Sequence, residues 1–303
     1  MKNIFIAILL MAGLSIPGFC REEGFVKTDD GAIHYFTFGS GEPVLIINGG
    51  PGLDCDGFVP LAELLSDKYM TILFDQRGTG KSKLNKVDSI TVTMDLMIED
   101  MEALRNHLKL DKWIVLGHSF GGFLAEYYAV KYPVSIKAMI LSSTGGIDMS
   151  LLKYFSANLN MRLSQDERDS LRYWSDRINN GDTTARAKLN RGRFLAPAYL
   201  YDKQYVPKLA KRLAFGGNMQ INGLVFKDMY KIKFDCRDKL KNFAKPVLII
   251  QGRQDIVGDG VAYEAHSALS NSKLIFINQA CHYSWWEQSG EYKSEVEKFI
   301  TAL

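Results

Sequence analysis

A serine in a glycine-rich segment is the first residue of this 303-residue chain that points to catalysis. Residues 117–121 read GHSFG and fit the pattern G-x-S-x-G. An apolar run at 113–116 precedes the segment, and a helical pattern at 120–131 follows it. A sharp turn between a strand and a helix exposes its central serine above the sheet, beside the amides that open the helix. We therefore predict that Ser119 is a nucleophile; a glycine-rich turn with a bystander serine is the alternative.

A serine hydroxyl becomes a good nucleophile only when a base takes its proton. Of the five histidines, His282 follows the last apolar strand and so falls at the carboxyl edge of the sheet, where the serine turn also opens. Asp255 follows the preceding strand and is the predicted acid that orients His282, with Asp259 as the second choice. We expect the side chain of His118, next to Ser119, to point elsewhere. The chain order Ser119, Asp255, His282 is that of the α/β-hydrolases.

An oxyanion formed at Ser119 needs two hydrogen-bond donors. The backbone N–H of Phe120, the residue after the nucleophile, is the first prediction. The second comes from residues 48–52, NGGPG, whose glycines let the backbone approach a substrate closely. We choose Gly50 as this donor, with Gly49 as the second choice.

Apolar runs and helical patterns alternate along the chain, which predicts an α/β fold with a doubly wound, mostly parallel sheet. The runs are residues 43–47, 70–74, 113–116, 138–141, 247–250 and 274–277, after a hairpin made by 25–26 and 33–38. Helices are predicted at 93–108, 120–131 and 291–303. Residues 147–238 are helical in character and rich in aromatic residues. We predict a core of 21–146 and 239–303 with a helical cap, 147–238, inserted into it.

The first twenty residues resemble a secretory signal, because Lys2 precedes an apolar run at 4–14 that is too short to span a membrane. We expect export to the periplasm or the outside. Lipid anchoring at Cys20 is the less favoured alternative, since Phe19 stands where lipoprotein signals have a small residue. The other cysteines, Cys55, Cys236 and Cys281, lack metal-site spacing, so we interpret them as packing residues.

The charge composition and one glycine-rich loop argue against two classes of function, nucleic-acid binding and phosphate binding. There are 37 Lys and Arg against 34 Asp and Glu, a net charge of +3, with no basic tract that predicts nucleic-acid binding. No motif among these residues indicates a metal site. Residues 75–82, DQRGTGKS, end like a phosphate-binding loop but have Asp75 where that motif needs glycine. We interpret them as a structural loop near the rim of the site.

Five segments together resemble the α/β-hydrolase superfamily and, within it, the proline iminopeptidase-like serine peptidases. They are NGGPG at 48–52, DQRGTGKS at 75–82, GHSFGG at 117–122, GRQD at 252–255 and the segment from His282 to Glu287. The resemblance implies release of an N-terminal residue, often proline, from a short peptide, without a cofactor. The alternative is a carboxylesterase or lactonase acting on a small acyl compound.

Two departures bear on that implied activity. Asn48 stands where the family usually has histidine. These aminopeptidases also resemble one another in holding the substrate's amino group with glutamates of the cap, whereas residues 147–238 contain one glutamate, Glu167. Asp202 and Asp228 are the substitutes that the sequence offers.

Overall fold

A computed structural model of the chain describes residues 21–303, so the predicted signal segment and Cys20 lie outside the described residues. Nine strands form one sheet in the order β1-β2-β4-β3-β6-β7-β8-β9, and the short β5 pairs with β2. Pairing is antiparallel among the first strands, β1 with β2 and β2 with β4, and parallel from β4 to β9. The strands are β1 (Arg21–Thr28), β2 (Gly31–Phe38), β3 (Glu42–Ile47), β4 (Tyr69–Phe74), β5 (Lys83–Leu84), β6 (Trp113–His118), β7 (Ile136–Ser142), β8 (Val247–Gly252) and β9 (Ser272–Ile277).

Helices cover both faces of this sheet, as its continuous apolar strands predict. On β3, Leu45 and Ile47 belong to one buried core with α2, α3 and α10, while Val44 and Ile46 belong to a second core with α1 and α12. The helices are α1 (Val59–Leu65), α2 (Met94–His107), α3 (Phe120–Lys131), α4 (Leu151–Arg162), α5 (Gln165–Asn179), α6 (Ala185–Leu195), α7 (Val206–Phe215), α8 (Met219–Lys231), α9 (Arg237–Leu240), α10 (Asp259–Ala268), α11 (Ser284–Glu287) and α12 (Ser289–Thr301). The predicted doubly wound α/β architecture is confirmed.

Helix ends follow local chemistry. The hydroxyl of Thr93 caps α2 by accepting a hydrogen bond from the amide of Leu96 at 3.2 Å. The helix α3 begins at Phe120, directly after the serine turn, and ends at Lys131, shortly before Pro133. The closing helix α12 begins two residues earlier than predicted.

The cap lies between β7 and β8. It consists mainly of α4 to α8, all inserted after the strand that neighbours β6 in the sheet. Because β7 and β8 pair directly, the insertion leaves the sheet continuous and rises from its carboxyl edge. This placement puts the cap over the end of the sheet where Ser119 lies.

The loop at 75–82 is a structural junction. The carboxylate of Asp75 accepts hydrogen bonds from the amides of Cys55 and Lys81, both at 2.9 Å, and lies 2.9 Å from Nδ1 of His34. A Cβ on Gly80 would lie 2.3 Å from that carboxylate, so glycine is needed where the loop folds over it. The loop therefore ties the first hairpin to the segment before α1.

Within the described part of the chain, no helix is long and apolar enough to cross a membrane. Cys55, Cys236 and Cys281 are free thiols buried in the packed interior, in keeping with their interpretation as packing residues.

Candidate active site

The backbone at Ser119 has an unusual conformation. Its φ of 53° and ψ of −117° place a non-glycine residue in a region that side chains rarely adopt. Three backbone hydrogen bonds hold it: its N–H donates to the carbonyl of Ser142 at 3.2 Å, and its carbonyl accepts from Gly122 and Gly145, both at 2.9 Å. The chain thereby turns from β6 into α3 within one residue, as the sequence pattern predicts.

Two glycines make this turn sterically possible. A Cβ on Gly121 would lie 2.1 Å from the carbonyl oxygen of Ile47, and one on Gly117 would lie 2.3 Å from the carbonyl oxygen of Gly121. Either side chain would push α3 away from the sheet. The first turn of α3, with its free amides, is thus held against the carboxyl end of β3.

His282 and Asp255 form a buried pair beside this turn. Nδ1 of His282 lies 2.9 Å from Oδ1 of Asp255, and the same oxygen accepts a hydrogen bond from the amide of Val257 at 3.0 Å. Burial by itself would raise the pKa of Asp255. The neighbouring charge of His282 and the hydrogen bonds to the carboxylate outweigh burial, so this pKa lies below its ordinary value. The pair therefore holds an ionised carboxylate at the Nδ1 edge of the imidazole.

The second-choice acid lies elsewhere. Asp259 is partly exposed and pairs with Arg253, the two side chains being 3.0 Å apart. The structure brings Asp255, and not Asp259, into hydrogen-bond contact with His282.

Ser119 and His282 line one cavity of about 500 Å³ between the sheet edge and the cap. Most of its walls are apolar or aromatic: Pro51, Leu53, Phe120, Phe123, Leu151, Leu152, Phe155, Tyr199, Leu213, Phe226, Tyr230, Val257 and Tyr283. Among residues 21–303, no Asp or Glu lines it. The space beside Ser119 is therefore a largely apolar chamber.

Gly50 and Phe120, the predicted oxyanion donors, line the same cavity as Ser119. Gly50 has a φ of 77°, which suits glycine. Its neighbour Gly49 is packed so closely that a Cβ there would lie 2.8 Å from Cβ of Ser119. The loop from 48 to 52 thus runs directly beside the serine, while the orphan amide of Phe120 opens α3.

Asn48 holds this loop in place, a role that the sequence did not suggest. Its side-chain amide donates to the carbonyls of Leu53 at 3.1 Å and Asp54 at 3.3 Å. Gln76 in turn donates to the backbone carbonyl of Asn48 at 2.9 Å. The departure from histidine at position 48 therefore brings an amide that fixes the loop. In the sequence, only the position of Asn48 next to the glycines of this loop pointed to such a role.

His118 does not point away from the site as expected. Its ring centroid lies 4.5 Å from that of His282 and 4.5 Å from that of Trp285. Neither ring nitrogen has a hydrogen-bond partner among the described residues. Burial, followed by the neighbouring charge of His282, lowers the pKa of His118 well below its ordinary value. The neutral ring of His118 therefore packs against the ring of His282.

The segment around His282 is fastened to the cap by Glu287. Its carboxylate accepts hydrogen bonds from the amides of Cys281 at 2.6 Å, Tyr201 at 2.6 Å and Asp202 at 2.8 Å. The amide of His282 also donates to the carbonyl of Tyr199 in the cap, at 3.2 Å. Cap and imidazole are therefore positioned together.

The cap acids that the sequence offered for binding an amino group are used in other ways. Glu167 closes a capping box with Ser164 at the start of α5. Asp202 caps a short turn by accepting from the amide of Gln204, and Asp228 accepts from the amide of Met94 at 2.8 Å. None of the three lines the cavity at Ser119.

No group of three or more His, Cys, Asp or Glu side chains in residues 21–303 is arranged to hold a metal ion.

The alpha/beta hydrolase fold model matches residues 42–289, and the chain belongs to this family.

Curated proteins of similar sequence indicate that the chain is a hydrolase. Proline iminopeptidase of Saccharolobus solfataricus is 29% identical over 96% of this chain and 95% of its own. Proline iminopeptidase of Heyndrickxia coagulans is 26% identical over 93% of this chain and 99% of its own. The resemblance to proline iminopeptidases that the motifs predicted is confirmed.

Solved structures agree on the fold. An alpha/beta fold family hydrolase from Bacillus anthracis superposes with a TM-score of 0.76 at 22% identity, covering 92% of this chain and 99% of that one. An esterase from Exiguobacterium antarcticum gives a TM-score of 0.68 at 18% identity, covering 91% and 98%. At these identities the likeness establishes the architecture alone.

Proposed function

We propose that this chain is a serine hydrolase in which Ser119 is the nucleophile, His282 the general base and Asp255 the acid that orients it. The observation that carries the proposal is the buried His282–Asp255 pair, 2.9 Å apart, at the cavity into which the strained turn projects Ser119. Ion pairing of this kind fixes the tautomer of the imidazole and stabilises its cation.

The reaction runs in two acyl-transfer steps. The hydroxyl of Ser119 attacks the substrate carbonyl while Nε2 of His282 accepts its proton. The amides of Phe120 and Gly50 donate to the oxyanion, each lowering the barrier by about 3–4 kcal/mol. His282 then protonates the leaving group, which departs and leaves an acyl group on Ser119. Water, deprotonated by the same imidazole, releases the acid and restores the serine.

The first candidate for the substrate is a short peptide whose N-terminal residue, proline or another small residue, is released. Its support is the similarity to proline iminopeptidases over almost the whole chain. An aminopeptidase must bind a protonated amine beside the scissile bond, which calls for a nearby carboxylate or several oxygen acceptors. If the substrate is such a peptide, its amine must be held by uncharged oxygen acceptors, because no described Asp or Glu lines the cavity.

The second candidate is an ester or lactone with an uncharged acyl group. The observation that favours it is the cavity wall, in which no described Asp or Glu faces the space around Ser119. Transfer of an ammonium group into an apolar chamber without a counter-charge is costly, whereas an aliphatic or aromatic acyl group gains from burial there.

Turnover of matched substrates distinguishes the two candidates. Proline and alanine anilides are compared with their N-acetyl derivatives and with short-chain nitrophenyl esters, on the wild type and on Ser119→Ala. Cleavage of the free anilides alone supports the aminopeptidase. Cleavage of esters, with no cleavage of any anilide, supports the esterase. Full activity of Ser119→Ala on every substrate would overturn the proposed chemistry for both.

We also propose that residues 1–20 direct export of the enzyme. The support is the sequence pattern of a charged start and a short apolar run. Sequencing of the mature N-terminus tests this: cleavage near residue 20 is expected, and a chain that keeps Met1 in the cytoplasm would contradict it.

A further inference from the structure

A second cavity adjoins the one at Ser119. It has a volume of about 610 Å³ and lies between the loop at 48–52 and the cap helices α5 to α8. The two cavities share the lining residues Gly50, Pro51, Leu53, Leu213 and Asn222. They therefore meet beside the loop that carries the proposed oxyanion donor.

The charged side chains that line this second cavity are both cationic. They are Lys188 and Arg191 of α6, and no Asp or Glu among the described residues lines it. Neither cation forms an ion pair with a described side chain. By contrast, Arg212 of the neighbouring helix α7 is paired with Asp54 at 3.3 Å.

The helix α6 concentrates this charge. Its sequence, ARAKLNRGRFL, has four cationic residues and no acidic one. Lys188 and Arg191 are three positions apart and therefore lie on one face of the helix. Arg191 is half-buried, and a guanidinium in such a position is suited to bidentate hydrogen bonding with a carboxylate.

We propose that the second cavity binds an anionic group of the substrate, a carboxylate, through Arg191 and Lys188. This inference rests on the proposed hydrolase function and narrows its substrate class. The substrate has its scissile carbonyl at Ser119 and a carboxylate at a distance from the scissile bond. A carboxylate on the leaving-group side describes a short peptide with a free C-terminus, and one on the acyl side describes a monoester of a dicarboxylic acid.

Matched substrate pairs test the proposal. In each pair one member carries a carboxylate and the other a neutral methyl or amide group of similar size. One series places the carboxylate on the acyl side, as in nitrophenyl monoesters of dicarboxylic acids of increasing length. The other places it on the leaving-group side, as in peptides with free or amidated C-termini. The ratio of kcat/KM within a pair is measured at low salt, after correction for the uncatalysed rates.

The wild type is expected to prefer the anionic member of at least one series by roughly 2- to 30-fold, as two partly exposed charge pairs imply. The preference should fall as salt is added. The double variant with Arg191→Gln and Lys188→Gln should bring the ratio close to one. Arg193→Gln is the matched control, because Arg193 lies on the same helix but is exposed and does not line the cavity.

A wild type that shows no preference in either series would overturn the proposal, as would a preference that survives in the double variant. These results differ from failure of the proposed function. In that case Ser119→Ala would keep the activity on the neutral substrates, whatever the ratio within a pair.

Discussion

Replacement of Asp255 by asparagine isolates what the negative charge of this residue contributes. Oδ1 of Asp255 accepts from both Val257 and His282, whereas Oδ2 has no hydrogen-bond partner among the described residues. An amide oxygen at Oδ1 keeps both hydrogen bonds, and the NH2 group occupies the Oδ2 position. We therefore expect Asp255→Asn to retain the orientation and tautomer of His282 and to lose the charge alone.

The size of the effect follows from the distance. In the proposed mechanism His282 becomes an imidazolium in the transition state, and its Nδ1 lies 2.9 Å from Oδ1 of Asp255. Charge centres about 4 Å apart interact by about 4 kcal/mol at an effective dielectric constant of about 20. One factor of ten in rate corresponds to about 1.4 kcal/mol. Asp255→Asn should therefore lower kcat/KM about 10³-fold. The buried, unpartnered NH2 group should also cost about 1–3 kcal/mol of folding stability.

The assay is steady-state hydrolysis of the fastest substrate found in the panel of anilides and esters, with thermal unfolding to confirm that the variant is folded. Asp259→Asn is the matched control, because Asp259 pairs with Arg253 at 3.0 Å and is not hydrogen-bonded to His282. We expect this control to stay within about twofold of the wild type, as for a partly exposed ion pair. The reasoning is refuted if Asp255→Asn keeps more than a tenth of the activity while folded, or if Asp259→Asn loses as much.

Three further substitutions test the buried interior of the fold. Glu126 on α3 is fully buried with neither carboxyl oxygen bonded to a described residue, and burial holds its pKa well above the ordinary 4.5. Above pH 4.5 the Glu126 carboxyl of the unfolded chain loses a proton that the folded chain keeps, so the free energy of unfolding falls by up to about 1.4 kcal/mol per pH unit. Glu126→Gln should remove this contribution to the pH dependence, which urea unfolding at pH 5 and 7 measures. Arg77→Leu leaves Asp100 buried without its partner at 2.7 Å and should cost about 3–5 kcal/mol of stability. Gly121→Ala forces α3 away from Ile47 and should reduce turnover and cost about 1–3 kcal/mol of stability.

Each of these expectations has a contradicting result. An unchanged pH slope in the Gln variant would mean that the Glu126 carboxyl is ionised in the folded chain. A loss below 1 kcal/mol for Arg77→Leu would mean that Asp100 finds another partner or reaches water. Full turnover of Gly121→Ala would mean that the start of α3 tolerates displacement.

The sequence predicted most where chemistry is local. The bounds of α3 follow from the glycines at its start and from Pro133 after its end, and residues 120–131 are the helix that the structure shows. The alternation of apolar runs with helical patterns was enough to predict the parallel sheet. Asp255 and His282 were predicted because both follow strands whose carboxyl ends meet at one edge.

What the sequence did not show depends on contacts between distant segments. The amide of Asn48 fixes the loop at 48–52 through the carbonyls of Leu53 and Asp54, and no local pattern indicates which carbonyls it reaches. The ring of His118 packs on His282 because α11 brings Trp285 behind it, which requires knowledge of the packing. The second cavity, which Lys188 and Arg191 of α6 line, forms only when the cap is folded over the loop at 48–52.

The most direct test of the central claim is active-site labelling with a fluorophosphonate, followed by peptide mapping. The account predicts one modified residue, Ser119, with no labelling of Ser119→Ala and much slower labelling of His282→Ala, because the hydroxyl then lacks its base. Modification of a different serine, or turnover by Ser119→Ala at the wild-type rate, would contradict the assignment of Ser119 as the nucleophile.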